Sequence, residues 1–289
     1  MVKESRLSIT MKGVNTGVIR QNNNFIALAL KIKEQKNQES LFFLPALALK
    51  DLLIALEYRL SQLSQLNTAE RTRYEKARDK TIEKMHQNIP ALQREELENA
   101  DINLRVNTVT LTAHDDQIMA FEFGLQSGKT VALSIALEQM ELLINAITHA
   151  LNHAGMRELI VRISSILDFL PLYDVDCQAG GNLEYDSYNH PSWKHNLFSH
   201  HLAVLYRYQD KDGKTQFSGT VIKMRAKPGS KESEAITRRL LDCSPRLKKL
   251  AGIPSRVFAS TLAVDKQHSL TADHCMKALY QLQQRAEKA

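Results

Sequence analysis

Twice within the first 155 residues, runs of alternating apolar residues separated by short polar turns lead into an amphipathic helix. This recurrence constrains the fold more than any other feature of the chain. In the first passage residues 7–11 alternate, Gly13-Val14-Asn15-Thr16-Gly17 has turn chemistry, and residues 25–33 and 40–44 read as two strands around a polar loop. A helix begins near Pro45, a favourable first-turn residue, with Leu49, Leu52, Leu53, Leu56, Leu60 and Leu63 at helical spacing. In the second passage residues 105–111, 118–125 and 130–135 read as strands, with a turn at Ser127-Gly128. The helix behind them carries Leu137, Met140, Ile144, Ile147 and Leu151 and ends at Gly155. An offset of 90 residues sets residues 41–47 on 131–137 and Leu52-Leu53-Ile54 on Leu142-Leu143-Ile144. The spacing suggests a duplicated sheet-plus-helix unit, although any hairpin followed by an amphipathic helix gives a related pattern.

The stretch between the two passages differs in kind. With Thr68 as its N-cap, a helix from Glu70 to Lys84 is mostly charged, with opposite charges at helical spacing in Arg71/Glu75, Lys76/Asp79 and Lys80/Glu83. So few apolar residues (Tyr74, Ala77, Ile82, Met85) predict an exposed arm, residues 68–98 in all, with a short turn at 91–99 and a surface open to self-association. Beyond it, residues 156–170 keep Leu159, Ile160, Ile163, Ile166, Leu167 and Leu170 on one helical stripe, stopped by Pro171. Residues 171–200, with Gly180-Gly181 and Pro191, read as an irregular boundary segment. The remainder reads as a hairpin (202–208 and 215–225) turned at Asp212-Gly213, then a basic helical stretch from Ser233. A short helix opened by Ser244-Pro245 and closed by Gly252, a strand at 256–264, and a final helix follow. Thr271 caps that helix, with Ala272, Cys275, Met276 and Leu279 inward. The fold expected is α+β: two similar antiparallel sheet-plus-helix units in 1–170, the arm between them, and a mixed region at 201–289.

Composition and motifs exclude several classes. With 43% hydrophobic residues and only 11 Gly and 7 Pro, the chain is not disordered. No apolar h-region follows the start and no apolar run approaches the ~20 residues of a membrane span, so a cytoplasmic protein is expected. Cys177, Cys243 and Cys275 are odd in number and far apart, as reduced thiols would be. Gly128-Lys129-Thr130 and Gly213-Lys214-Thr215 lack the earlier P-loop glycine, Phe123 and Tyr208 standing there, and read as hairpin turns. His149 and His153 stand at metal-ligating spacing but opposite the apolar stripe, near the end of a helix, where a solvated position explains them. No cofactor motif is present.

Two polar features remain. The first is a cluster of His190, His195, His200 and His201 behind Asp168, Asp174, Asp176, Cys177, Glu184 and Asp186, with Tyr185, Tyr188 and the only tryptophan, Trp193. Imidazoles and carboxylates together can hold a cation and activate water, so convergence of His190, His195, His200, Asp174 and Asp176 would make a metal-assisted hydrolase or nuclease. A polar loop anchored by aromatics has the same composition. The second is charge: the chain carries +6, yet residues 223–256 alone hold ten basic residues against Glu232, Glu234 and Asp242. Lys223, Arg225, Lys227, Arg238, Arg239, Arg246, Lys248 and Lys249 form a candidate polyanion-binding set, which would contact a phosphate backbone because no aromatics interleave. A solvated helical face or an acidic partner protein explains the same segregation.

Several stretches resemble the enterobacterial YjeJ-like proteins, an uncharacterised family. They are residues 13–20, 24–31, the arm at Tyr74-Glu75-Lys76-Ala77-Arg78-Asp79-Lys80, Val106-Asn107-Thr108, and Asp168-Phe169-Leu170-Pro171-Leu172-Tyr173-Asp174. The resemblance runs through most of the chain and implies a cytosolic bacterial protein with no active-site residues to carry over. The sequence thus reads as a non-enzymatic binding or assembly protein for an anionic partner such as nucleic acid, with the hydrolase as the alternative.

Overall fold

The computed structural model describes residues 7–177, 183–263 and 270–289, in two compact units, Met1–Ser164 and Ser165–Ala289. The first unit comprises β1 (Leu7–Gln21), β2 (Asn24–Glu34), β3 (Glu39–Leu44), α1 (Ala46–Leu63), α2 (Thr68–His86), α3 (Arg94–Glu98), β4 (Val106–His114), β5 (Ile118–Leu125), β6 (Thr130–Ala136), α4 (Met140–His153) and α5 (Arg157–Ser164). Two three-stranded meanders join through a parallel pairing of β1 with β6, giving the order β3-β2-β1-β6-β5-β4. The sheet curls until its edges meet: Phe43 of β3 bridges in parallel to Arg105, just before β4. Across the interior Phe42 meets Phe123 edge-on, with ring centroids 5.6 Å apart. α1 packs on β4, α4 packs on β1, and the two helices touch. Each meander's helix therefore covers the first strand of the other.

The 90-residue offset needs one more residue. It sets Phe42, which is buried, against Ala132, which lies between the buried Val131 and Leu133 and so points to the other side of its strand. An offset of 91 preserves both register and facing. Leu28↔Leu44 and Leu30↔Phe42 in the first hairpin become Met119↔Ile135 and Phe121↔Leu133 in the second. The buried Leu49, Leu52 and Leu56 of α1 become the buried Met140, Leu143 and Ile147 of α4.

Gly13 and Gly17 are not in a turn. Both lie inside the unbroken strand β1, and the turn falls at Asn22 and Asn23, whose φ angles are 49° and 65°. The two glycines serve a close approach: a Cβ on Gly13 would stand 1.9 Å from the Asn88 carbonyl oxygen, and one on Gly17 2.8 Å from Leu92. The chain leaving α2 is laid directly on β1. Lys31 on β2 fastens it, donating to the Ala91 carbonyl at 2.6 Å and to both Glu96 carboxylate oxygens at 2.7 and 2.9 Å. Asn67, rather than Thr68, caps α2, accepting from the Glu70 amide while the Glu70 carboxylate accepts from its own. Only Met85 of α2 is buried, and Tyr74 and Arg78 tie its inner side to Glu141 of α4.

The second unit is an antiparallel sheet of order β11-β9-β10-β7-β8. Its elements are β7 (Phe169–Cys177), β8 (Leu183–Ser187), α6 (Ser192–Asn196), β9 (His200–Gln209), β10 (Thr215–Met224), α7 (Lys231–Cys243), β11 (Ser255–Leu262) and α8 (Ala272–Lys288). α8 covers one face through Cys275, Leu279, Leu282 and Ala286, packed on Val175, Ala203, Leu205 and Val221. α7 and a 3₁₀ turn, Leu247–Leu250, cover the other through Ile236, Leu240, Leu247 and Leu250 on Leu202, Val204, Tyr206 and Ile222. The helix expected over 156–170 ends at Ser164, and much of the supposedly irregular 171–200 is β7, β8 and α6. Pro171 tolerates a strand because the register with β10 shifts beside it, between Val221 and Ile222. Gly180, Gly181 and Val264 lie outside the described residues. Among the described residues no helix is long and apolar enough to cross a membrane.

Candidate functional site

Strand alternation sends Asp174 and Asp176 of β7 to the face covered by α7 and the 3₁₀ turn. Asp174 is fully buried. Tyr188 donates to it at 2.7 Å, and the Ser244 hydroxyl donates to the same oxygen while accepting the Leu247 amide at 3.0 Å. This carboxylate thus anchors the start of the turn that carries Arg246, Lys248 and Lys249. Asp176 accepts from Ser218 at 2.6 Å, Arg246 at 2.9 Å and Lys249 at 2.6 Å. Its burial opposes ionisation, but the hydrogen bonds from Lys249, Ser218 and Arg246 outweigh it and hold the carboxyl below its usual range. Arg246 reaches two further carboxylates on β8, Asp186 at 2.8 Å and Glu184 at 3.6 Å. Arg239 holds Asp168 at 2.6 Å.

The acidic cluster and the basic stretch, separate in the sequence, are therefore paired with each other, Arg246 and Lys249 in one network with Asp176, Glu184 and Asp186 and Arg239 in a pair of its own with Asp168. Of the eight candidate polyanion ligands, Arg239, Arg246 and Lys249 hold carboxylates. Lys223 donates to the His195 carbonyl at 2.7 Å, and Arg225 donates to the Leu167 carbonyl at 2.6 Å and lies over the Phe198 ring. Lys227, Arg238 and Lys248 are exposed on the outer surface of the unit.

The histidines do not join the carboxylates. Alternation along β9 turns His200 toward the α7 face and His201 toward the α8 face. His201 and Lys223 are paired across β9 and β10, and with His190, His195, Tyr173 and Tyr188 they line a cavity of about 440 Å³. His190 and His195 stack edge-on at 5.8 Å, and a ring nitrogen of His190 lies 2.7 Å from the Pro171 carbonyl. Burial, followed by the Lys223 charge, pushes the His201 imidazole down to about 4 and lowers that of His195; burial also lowers the Lys223 ammonium. At neutral pH His195 and His201 are neutral donors and acceptors beside one cation. Asp174 and Asp176 face the other side of the sheet, and among the described residues no group of three or more His, Cys, Asp or Glu is placed to hold one metal ion. Cys177 and Cys275 are buried thiols raised to about 12 by that burial. The sequence reading passed over the pairing of His201 with Lys223. The signal for it is the even register of the hairpin turned at Gly213.

A curled double meander followed by a five-stranded antiparallel sheet with helices on both faces is the class that this geometry defines. Residues 7–289 match the model of the YjeJ-like family, and the chain belongs to it. "Uncharacterized protein YjeJ" of Escherichia coli (strain K12) is 58% identical over 276 residues, covering 96% of each chain. No solved structure matches.

Proposed function

We propose that this chain is a non-enzymatic binding protein of the bacterial cytoplasm that engages an anionic partner, nucleic acid being the first to test, through Lys227, Arg238 and Lys248. The observation that carries this reading is the direction of the ion pairs. The carboxylates of β7 and β8 are drawn toward Arg246 and Lys249, and Asp168, just before β7, toward Arg239, which leaves Lys227, Arg238 and Lys248 as exposed cations outside these pairs. Contact would be with a phosphate backbone, since released counterions supply the affinity and no aromatic residue interleaves with the basic ones of 223–256. Replacing Lys227, Arg238 and Lys248 together by Glu should abolish retention on heparin or duplex DNA at low salt; unchanged retention would sink the proposal. The same reading gives the exposed face of α2 to a second copy of the chain, which light scattering of the full-length protein can test. The two meander-plus-helix halves of the first unit are proposed as copies of one ancestral unit, supported by their shared 91-residue register.

A further inference from the structure

The cavity on the α8 face of the second unit differs in chemistry from the outer basic surface. Its lining brings together Lys223 from β10, His201 from β9, His195 from α6, His190 and Tyr188 from the segment after β8, and Tyr173 from β7, together with Leu172 and Leu270. Among the described residues no carboxylate lines it. Its volume, about 440 Å³, is that of a small-molecule site, in the general range of about 300–1,000 Å³. One ammonium group lined up with imidazoles, in a recess where its field is less screened than at the surface, favours negative charge. Leu172, Leu270 and the Tyr173 ring give the same recess an apolar wall.

We propose that this cavity binds a small organic anion, a carboxylate or phosphate monoester with a compact apolar or aromatic body, its charged end at Lys223 and His201 and its body against Tyr173 and Leu172. The site is separate from the outer cations Lys227, Arg238 and Lys248, so it can stand or fall without the polyanion reading. Lys223 already donates to the His195 carbonyl, and an ammonium has three donors, so the bond that positions α6 and the bond to a ligand can coexist.

The test uses the full chain with benzoate and phenyl phosphate as probes and benzyl alcohol as the neutral control. Nitrogen-15 spectra of the histidine side chains give the readout. The expected result is a saturable shift of His190, His195 and His201 on adding at least one anion, with His86, His114, His149 and His153 unmoved and benzyl alcohol inert. Which anion shifts them more assigns carboxylate or phosphate. Lys223→Met should weaken that binding about tenfold or more, as expected for losing a charged hydrogen bond, while the triple Glu variant of the outer surface should bind as the parent does. No saturable shift up to about 10 mM would overturn the proposal, as would equal binding of benzyl alcohol or shifts spread over all histidines. Undiminished binding in a folded Lys223→Met protein would do the same. The spectra of the parent protein decide the matter even where that variant fails to fold.

Discussion

Replacing Arg246 by Met, which keeps a similar aliphatic reach and removes the guanidinium, should destabilise the C-terminal unit by about 2–3 kcal/mol. The magnitude follows from what is left behind. The Arg246 side chain is 15% exposed and its partner Asp176 20% exposed, so their charges are largely withdrawn from water. Removing one partner of a fully buried pair costs roughly 3–5 kcal/mol, and breaking an exposed pair roughly 0–1 kcal/mol. The present case lies between, because Asp176 keeps Lys249 and Ser218 as donors. Asp186 and Glu184, 50% and 61% exposed, rehydrate at little cost. For a unit of this size the melting temperature should fall by roughly 8–12 °C. Trp193 is the only tryptophan in the chain and lies in this unit, so urea unfolding followed by its fluorescence reports the relevant transition alone. Arg94→Met serves as the control: its pair with Glu98 is 84% and 54% exposed and belongs to the other unit, so the effect should stay within about 0.5 kcal/mol. A loss below about 1 kcal/mol in Arg246→Met would refute the idea that this network organises the unit.

The remaining expectations concern a titration and a close approach. The imidazole of His201 is depressed to about 4 in the fold against 6.5 for the free group, so the unfolded chain binds the extra proton between these values. Stability contributed by the neutral ring is complete above about pH 6.5 and is lost as pH falls toward 4. A fully enclosed imidazole shifted this far would account for about 3 kcal/mol, and solvent screening of this half-buried ring reduces that to roughly half. The difference in pH dependence between parent and His201→Gln, read by Trp193 fluorescence in urea, measures it; equal slopes from pH 4 to 6.5 would remove His201 as the cause. In the first unit, Gly13→Ala places a methyl group against the backbone of Asn88, and overpacking of this kind costs about 1–3 kcal/mol. Gly128→Ala meets open space and only the strain of its φ of 81°. Circular dichroism should show Gly13→Ala as the more damaging change, because Trp193 does not report on this unit.

Much of the architecture is legible where a single residue pattern has a single cause. The alternation in 118–125 and 130–135 can only place Met119, Phe121, Phe123, Val131, Leu133 and Ile135 on one side of a sheet, and these are buried. The charged helix α2 is legible for the same reason. The reading failed where one residue type serves two purposes. Gly13 and Gly17 suggest a turn, but they are small to admit a chain segment 75 residues away, which local chemistry does not reveal. Ile166, Leu167 and Leu170 continue the helical stripe of α5, yet the chain turns over 165–168, and of these three only Leu170 enters a strand. The charged residues carry the same lesson at longer range. Asp176 and Arg246 are 70 positions apart, so a sequence displays an acidic cluster and a basic stretch where the fold pairs the two.

That conversion of apparent charge into internal pairing is the central claim, and the salt dependence of binding to a short B-DNA duplex tests it most directly. Each phosphate neutralised contributes about −0.9 to the slope of log K against log salt, so three outer cations give a slope of about −2.7. A slope near −7, as eight engaged cations would give, would contradict the claim, because the pairs of Arg239, Arg246 and Lys249 with Asp168, Asp176, Glu184 and Asp186 would then have to open to the partner.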